Sequence, residues 1–260
     1  MTPADRVRVR LLVAYDGTRF RGFALNPGVA TVAGRLMEAL ELIVGHEVSL
    51  TCAGRTDAGV HAWGQVVTFD ADPARVDPRR MRSSLNSLCR PEIVVREVDL
   101  PGSNFDARYQ ATSRAYRYTV LNRDVPDPFS SNRAWLVTKS LDLDEMNAAS
   151  SLVVGTHDFA SFCRRQQVLT VAGAEVEAPR TRRVLRAGWH RAESDLVRFE
   201  IEATSFCHQM VRGIVGTLVE VGMGLRPAED VRQIIEARDR NRAGRVAPPH
   251  GLMLWHVGYD

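Results

Sequence analysis

Two hydrophobic periods alternate along this chain in an order that occurs twice, and that recurrence limits the possible folds more than any other feature. Residues 7–14, VRVRLLVA, pattern as a strand with a charged edge. Residues 31–44 carry Leu36, Leu40 and Ile43 or Val44 at helical spacing, and Gly45 stops the run. Strands are expected at 48–53 and 64–69. A helix is expected at 78–87, with Pro78 just inside its start and Asp77 as its cap, and then a strand at 92–98. The second half repeats the order. A strand is expected at 114–121, a loop at 126–133, and a helix at 142–153 with Asp142 as cap and Glu145 in the capping-box position. An irregular stretch at 155–170 precedes strands at 182–191 and 196–204. A helix at 208–222 presents Met210, Ile214, Leu218 and Val221 on one face; a shorter helix at 227–237 and a strand at 253–258 follow. The expected fold class is α+β: a duplicated strand–helix module, residues 1–105 and 106–260, with a cleft between the halves.

Composition excludes several classes. No run of 18 or more apolar residues is present, so no membrane span is expected. The start, MTPADRVRVRLLVAY, lacks an apolar core followed by a cleavage site, so a signal peptide is not expected. Cys52, Cys89, Cys163 and Cys207 are far apart and form no CxxC, so they read as reduced cytosolic thiols with no metal spacing. The net charge is +3, yet of the 34 basic residues only Lys139 is lysine. Arginine suits bidentate phosphate contact, but so uniform a bias also fits a genome-wide composition effect. Arginines gather at 164–191 and again at 226–245; these fit a phosphate-binding surface or solvated faces diluted by nearby acids.

The segment Cys52–His61, CAGRTDAGVH, concentrates the chemistry. Asp57 stands two residues after Arg55, bracketed by Gly54 and Gly59, between apolar alternating segments. A charged pair at the junction of buried strands is costly unless it is paired. It reads either as a structural Arg–Asp turn or as a carboxylate poised for chemistry beside a phosphate-holding arginine. An aspartate of depressed pKa is a poor proton acceptor but can be a nucleophile. His61, in a loop after Gly59, reads as a substrate or structural hydrogen-bonder. In RAYRY, period two puts Tyr116 and Tyr118 on one face, as core rings or as a platform for a base, with Arg114 and Arg117 on opposite faces. In FCHQMVRGIVGTL, His208 and Arg212 share a helix face, and Arg212 borders an apolar helix where it needs a carboxylate; Asp57 is the attractive partner. VAPPHGLML makes a rigid loop from which Leu252 can press on a base.

AGRTDAGVHA at 53–62, YRY at 116–118, HDFASF at 157–162, MVRGIVG at 210–216, APPHGLML at 247–254 and YDGTRFRGF at 15–23 together resemble the bacterial tRNA pseudouridine synthase A family. The motifs span nearly the whole chain in family order. The resemblance implies a pseudouridine synthase fold, two ferredoxin-like/RRM-like halves with antiparallel sheets joined across a central cleft. It implies isomerisation of uridine to pseudouridine at positions 38, 39 and 40 of the tRNA anticodon stem-loop. It also implies a cytoplasmic homodimer that needs no cofactor, no metal and no other protein partner. Carried over by position, Asp57 matches the catalytic aspartate and Arg55 the arginine that gates the flipped base. Tyr116 matches the tyrosine stacked on the base and proposed to help remove the C5 proton. Arg212 matches the residue paired with the aspartate, and Leu252 the apolar residue against the target ring. His61, Tyr118 and His208 are supporting residues. The chain departs from the pattern at Phe23-Ala24-Leu25-Asn26, where many relatives have a GWQxQ-type run, and at Gly213, where relatives often have Asn. An RNA-binding module without catalysis explains the sheets and arginines but not the AGRTDAG carboxylate. A metal-dependent nuclease would need more carboxylates.

Overall fold

A computed structural model describes residues 6–169, 173–193 and 195–260. In chain order the elements are β1 (Val7–Tyr15), α1 (Val32–Val44), β2 (Thr51–Cys52), β3 (His61–Ala71), α2 (Pro78–Cys89), β4 (Ile93–Asp99), β5 (Ser113–Asn122) and β6 (Trp135–Val137). They continue with α3 (Leu143–Ser151), β7 (Gly155–Asp158), β8 (Gln167–Leu169), β9 (Glu175–Glu177), β10 (Thr181–Arg191), β11 (Leu196–Ala203), α4 (Met210–Gly222), α5 (Asp230–Ala237) and β12 (Leu252–Gly258). Local side chains set several boundaries, and those at Gly45, Asp77, Pro78 and Asp142 are as the sequence suggests. Thr31 caps α1 by accepting from Gly34 N–H, and Gly45 closes it in the left-handed region. Asp77 caps α2, whose first residue is Pro78. Asp142 caps α3, accepting from both Asp144 and Glu145 N–H.

The contacts divide the chain into Met1–Thr112 with Met253–Asp260, and Ser113–Leu252. In the first unit the order β1-α1-β2-β3-α2-β4 builds an antiparallel arrangement β4-β1-β3, with β2 on β3. This is the ferredoxin-like order. Val9, Leu11 and Val13 of β1 are fully buried with Leu36, Leu40, Leu85 and Ile93. The expected boundary at 105 and 106 assigns the terminal strand to the second half. The contacts group Met253–Asp260 with the first unit, because Met253 and Leu254 pair in parallel with His61 and Ala62 of β3. That pairing joins residues about 190 positions apart, which no local pattern encodes.

In the second unit β5, β11, β10 and β7 pair antiparallel in that order, and β6 lies parallel to β5. The spatial order β5-β11-β10 repeats β1-β3-β2 of the first unit, with α3 and α4 in the places of α1 and α2. Helix α4 is buried on nearly every side; only Arg212 and Glu220 are partly open along it. The segment expected to be irregular contains β7 and β8, and β8 pairs with β9 as a separate ribbon. The four cysteines are not all thiols: Cys163 and Cys207 form a disulfide, while Cys52 and Cys89 are free. The turn at 160–162 and the entry to α4 bring their Cα atoms to 6.0 Å, and Arg164 N–H donates to His208 O beside the bridge at 3.0 Å.

Candidate active site

The Asp57 loop leaves β2 and returns into β3, and its backbone is held from two sides. On one side is the segment after β1. Phe23 N–H donates to Thr56 O at 3.0 Å, and Gly59 N–H to Phe20 O at 3.3 Å. Gly59 has φ 76°, which glycine adopts without strain, and Val60 N–H closes the turn onto Asp57 O at 3.1 Å. On the other side is β3, where Gln65 Nε2 donates to Gly54 O at 2.7 Å. The result places Arg55 exposed, Thr56 buried and Asp57 partly buried. The motif YDGTRFRGF therefore supplies the scaffold of the carboxylate loop. Its departure at 23–26 splits: Phe23 is buried against Tyr15, whereas Leu25 and Asn26 lie on the surface.

His61 is the first residue of β3 and is buried. Its Nδ1 accepts from Gly17 N–H at 3.0 Å, and Asp16 Oδ1 lies 3.3 Å from the same nitrogen. A nitrogen that accepts from Gly17 carries its lone pair there, so the proximity to Asp16 is not an ion pair through Nδ1. His61 thus ties the post-β1 turn to β3.

The remaining sequence-selected residues lie in the second unit. Tyr116 and Tyr118 both point to the buried side of β5, but they differ. Tyr118 is fully buried; its hydroxyl donates to Pro248 O at 2.8 Å, and its ring meets Trp135 edge-on. Burial pushes its hydroxyl pKa up, against the pull of the Arg212 and Arg245 charges. Tyr116 is slightly open and packs edge-on against Phe206 with ring centroids 5.1 Å apart. Arg114 donates to Thr204 O, and Arg117, on the opposite face, pairs with Glu200 at 2.6 Å.

Arg212 Nε donates to Ala247 O at 2.7 Å, while Ala247 N–H returns a bond to Arg212 O at 3.0 Å. Tyr118 and Arg212 therefore converge on Ala247-Pro248, the stretch that leads into buried Leu252. Helix α4 accepts this stretch closely because of Gly216, where a Cβ would come within 1.7 Å of Arg245 O. A Cβ at Gly213 would stand 2.6 Å from Phe162 O, so the departure at this position lets HDFASF lie directly against the helix. His208 Nδ1 lies 3.3 Å from Gln166 Nε2. Of the arginine clusters, Arg180 pairs with Glu177, Arg186 with Glu202, Arg226 with Glu220 and Arg238 with Asp158. Arg164, Arg183 and Arg191 are exposed and have no ion pair among the described residues. The structure thus groups Arg55, Asp57 and His61 in one unit and Tyr118, Arg212 and Leu252 around one loop of the other, with Tyr116 on the strand of Tyr118.

Sequence reasoning passed over Tyr15, Thr56 and Gln65, all buried around the carboxylate loop. The available signal was a glutamine inside the apolar run GQVVTF. Among the described residues no three His, Cys, Asp or Glu side chains converge as a metal would require, and no helix is long and apolar enough to cross a membrane.

Comparison with known proteins assigns these motifs to a class. A family model described as tRNA pseudouridine synthase matches residues 11–110 and 148–260, which include Asp57, Arg212 and Leu252. Tyr116 and Tyr118 fall between the two stretches. A tRNA pseudouridine synthase A of Halalkalibacterium halodurans is 43% identical over 249 residues, covering 95% of this chain and 90% of the relative. Those of Geobacillus sp. and Bacillus subtilis are 39% and 36% identical, covering 97% and 98% of this chain and 98% and 100% of theirs. The chain belongs to the bacterial tRNA pseudouridine synthase A family.

Proposed function

We propose that this protein isomerises uridine to pseudouridine in tRNA, at positions 38, 39 and 40 of the anticodon stem-loop. The observation that carries the reading is the AGRTDAG loop, fastened on both sides so that one carboxylate stands at a fixed place, in a chain matched nearly end to end by this family. The target uridine leaves the helical stack at a cost of a few kcal/mol. The N1–C1′ bond breaks, the uracil turns, C5 bonds to C1′, the C5 proton departs and N1 takes up a proton. Atoms balance without an external reactant. Asp57 supplies the carboxylate, by attack on C1′, by removal of the 2′ proton or by attack on C6. Arg55 gates the displaced base, and Arg212 is the countercharge of Asp57. Tyr116 and Leu252 hold the loosened ring, and the Tyr116 hydroxyl helps remove the C5 proton. His61, Tyr118 and His208 are supporting residues in this reaction. The enzyme acts as a cytoplasmic homodimer, one protomer positioning the RNA body while its partner acts.

Tritium release from tRNA transcripts labelled at uridine C5, with positions 38, 39 and 40 tested singly, checks this reading. Release by the wild type is expected at each position, and none by Asp57→Asn although tRNA binding persists. Loss of both binding and turnover in a folded Asp57→Asn variant would overturn the role of Asp57. Tight binding without release from any transcript would leave an RNA-binding module.

A further inference from the structure

Gln65 is fully buried in a strand whose neighbours Val66, Val67 and Phe69 are apolar. A buried carboxamide costs roughly 1–3 kcal/mol unless its hydrogen bonds return it. Its Nε2 donates to Gly54 O at 2.7 Å and lies 3.4 Å from Tyr15 Oη. Tyr15 Oη is in turn 2.7 Å from Thr56 Oγ1, with Tyr15 and Thr56 both buried. The amide orientation is fixed by its neighbour: reversing it would set Oε1 against Gly54 O, acceptor facing acceptor. Oε1 itself has no hydrogen-bond partner among the described residues. The side chain thus leaves one polar atom unsatisfied while the other end holds the carboxylate loop.

These bonds fall on residues 54 and 56. They bracket Arg55 and end one residue before Asp57. We infer that Gln65, acting directly on Gly54 and through Tyr15 on Thr56, is a positioning residue that sets where the Asp57 carboxylate stands. The inference rests on the reading of Asp57 as the catalytic carboxylate. Displacing a reacting group by about 1 Å can cost roughly a hundredfold in rate.

The test measures kcat, KM for tRNA, tRNA affinity and thermal midpoint for Gln65→Met, Tyr15→Phe, Thr56→Val, Thr56→Ser and Asp57→Asn. Gln65→Met keeps length and removes the donor. Tyr15→Phe removes only a hydroxyl, and Thr56→Val exchanges a hydroxyl for an isosteric methyl. The expected result is a fall in kcat of roughly ten- to a hundredfold for these three, with KM and affinity within about threefold of wild type. Thr56→Ser, which keeps the hydroxyl, restores kcat. Should Gln65→Met fail to fold, the Tyr15 and Thr56 variants carry the comparison. Wild-type kcat in the folded variants, beside an inactive Asp57→Asn, overturns the positioning role. So does a loss that tracks the fraction folded and is not rescued by Thr56→Ser. An active Asp57→Asn overturns the reading of Asp57 itself, whatever the other variants do.

Discussion

The Cys52 thiol ends β2, and burial pushes its pKa from the ordinary 9.0 up to about 11, against the opposing charges of Arg55 and Arg108. Between those values the unfolded chain has lost a proton that the folded chain keeps, so stability falls as pH rises. The contribution of the buried neutral thiol is intact below 9.0 and lost as pH climbs through about 11. Denaturant unfolding at about pH 8 and about pH 10.5 should therefore show a steeper alkaline loss in wild type than in Cys52→Ala. Equal slopes would sink this account. At this scale Asp57 was readable because its glycines and Arg55 are sequence neighbours. Gln65 was not: its meaning depends on residues 15, 54, 56 and 65 meeting, and only the folded β1–β3 pairing achieves that.

Among elements, the helices were the most readable, because caps act within one turn. Asp77 and Asp142 each accept from a backbone N–H two or three residues ahead, so spacing alone exposes them, and Thr31 caps α1 in the same way. The expected strand at 48–53 shrinks to Thr51–Cys52, since only Thr51 and Cys52 pair with β3, opposite Thr68 and Val67. Strands β7, β8 and β9 take only three or four residues each, too short for alternation to register. The disulfide was hidden for a related reason. Its cysteines are 44 residues apart, and spacing does not encode which segments meet. It ties the turn after β7 to the entry of α4. In the chain-entropy relation a loop of that length corresponds to about 4 kcal/mol. Reduction, or Cys163→Ser, should lower the thermal midpoint, and peptide mapping of alkylated protein should find Cys163 and Cys207 blocked before reduction. Both cysteines alkylated in folded, unreduced protein would exclude the bridge.

On the scale of the molecule, the second unit is an insertion within the first. Chain order suggested two consecutive halves; contacts return the last strand to β3, where fully buried Leu254 and stacked Trp255 and Trp63 anchor it. Leu254→Ala should cost about 2–5 kcal/mol. Hydrogen exchange locates the loss: protection should fall in β1 and β3 while β10 and β11 keep theirs. A uniform fall across all four strands would show that the two units open together, and the division would then have no energetic meaning.

The return of β12 also dictates an order of events during translation. The strand that pairs with His61 and Ala62 is synthesised only after the whole of Ser113–Leu252. The nascent first unit therefore waits with that edge of β3 uncovered while the second unit emerges and folds. The Asp57 loop runs directly into that edge. A ribosome-bound chain carries the carboxylate motif from early on, but its supporting sheet is completed only as the final strand leaves the exit tunnel.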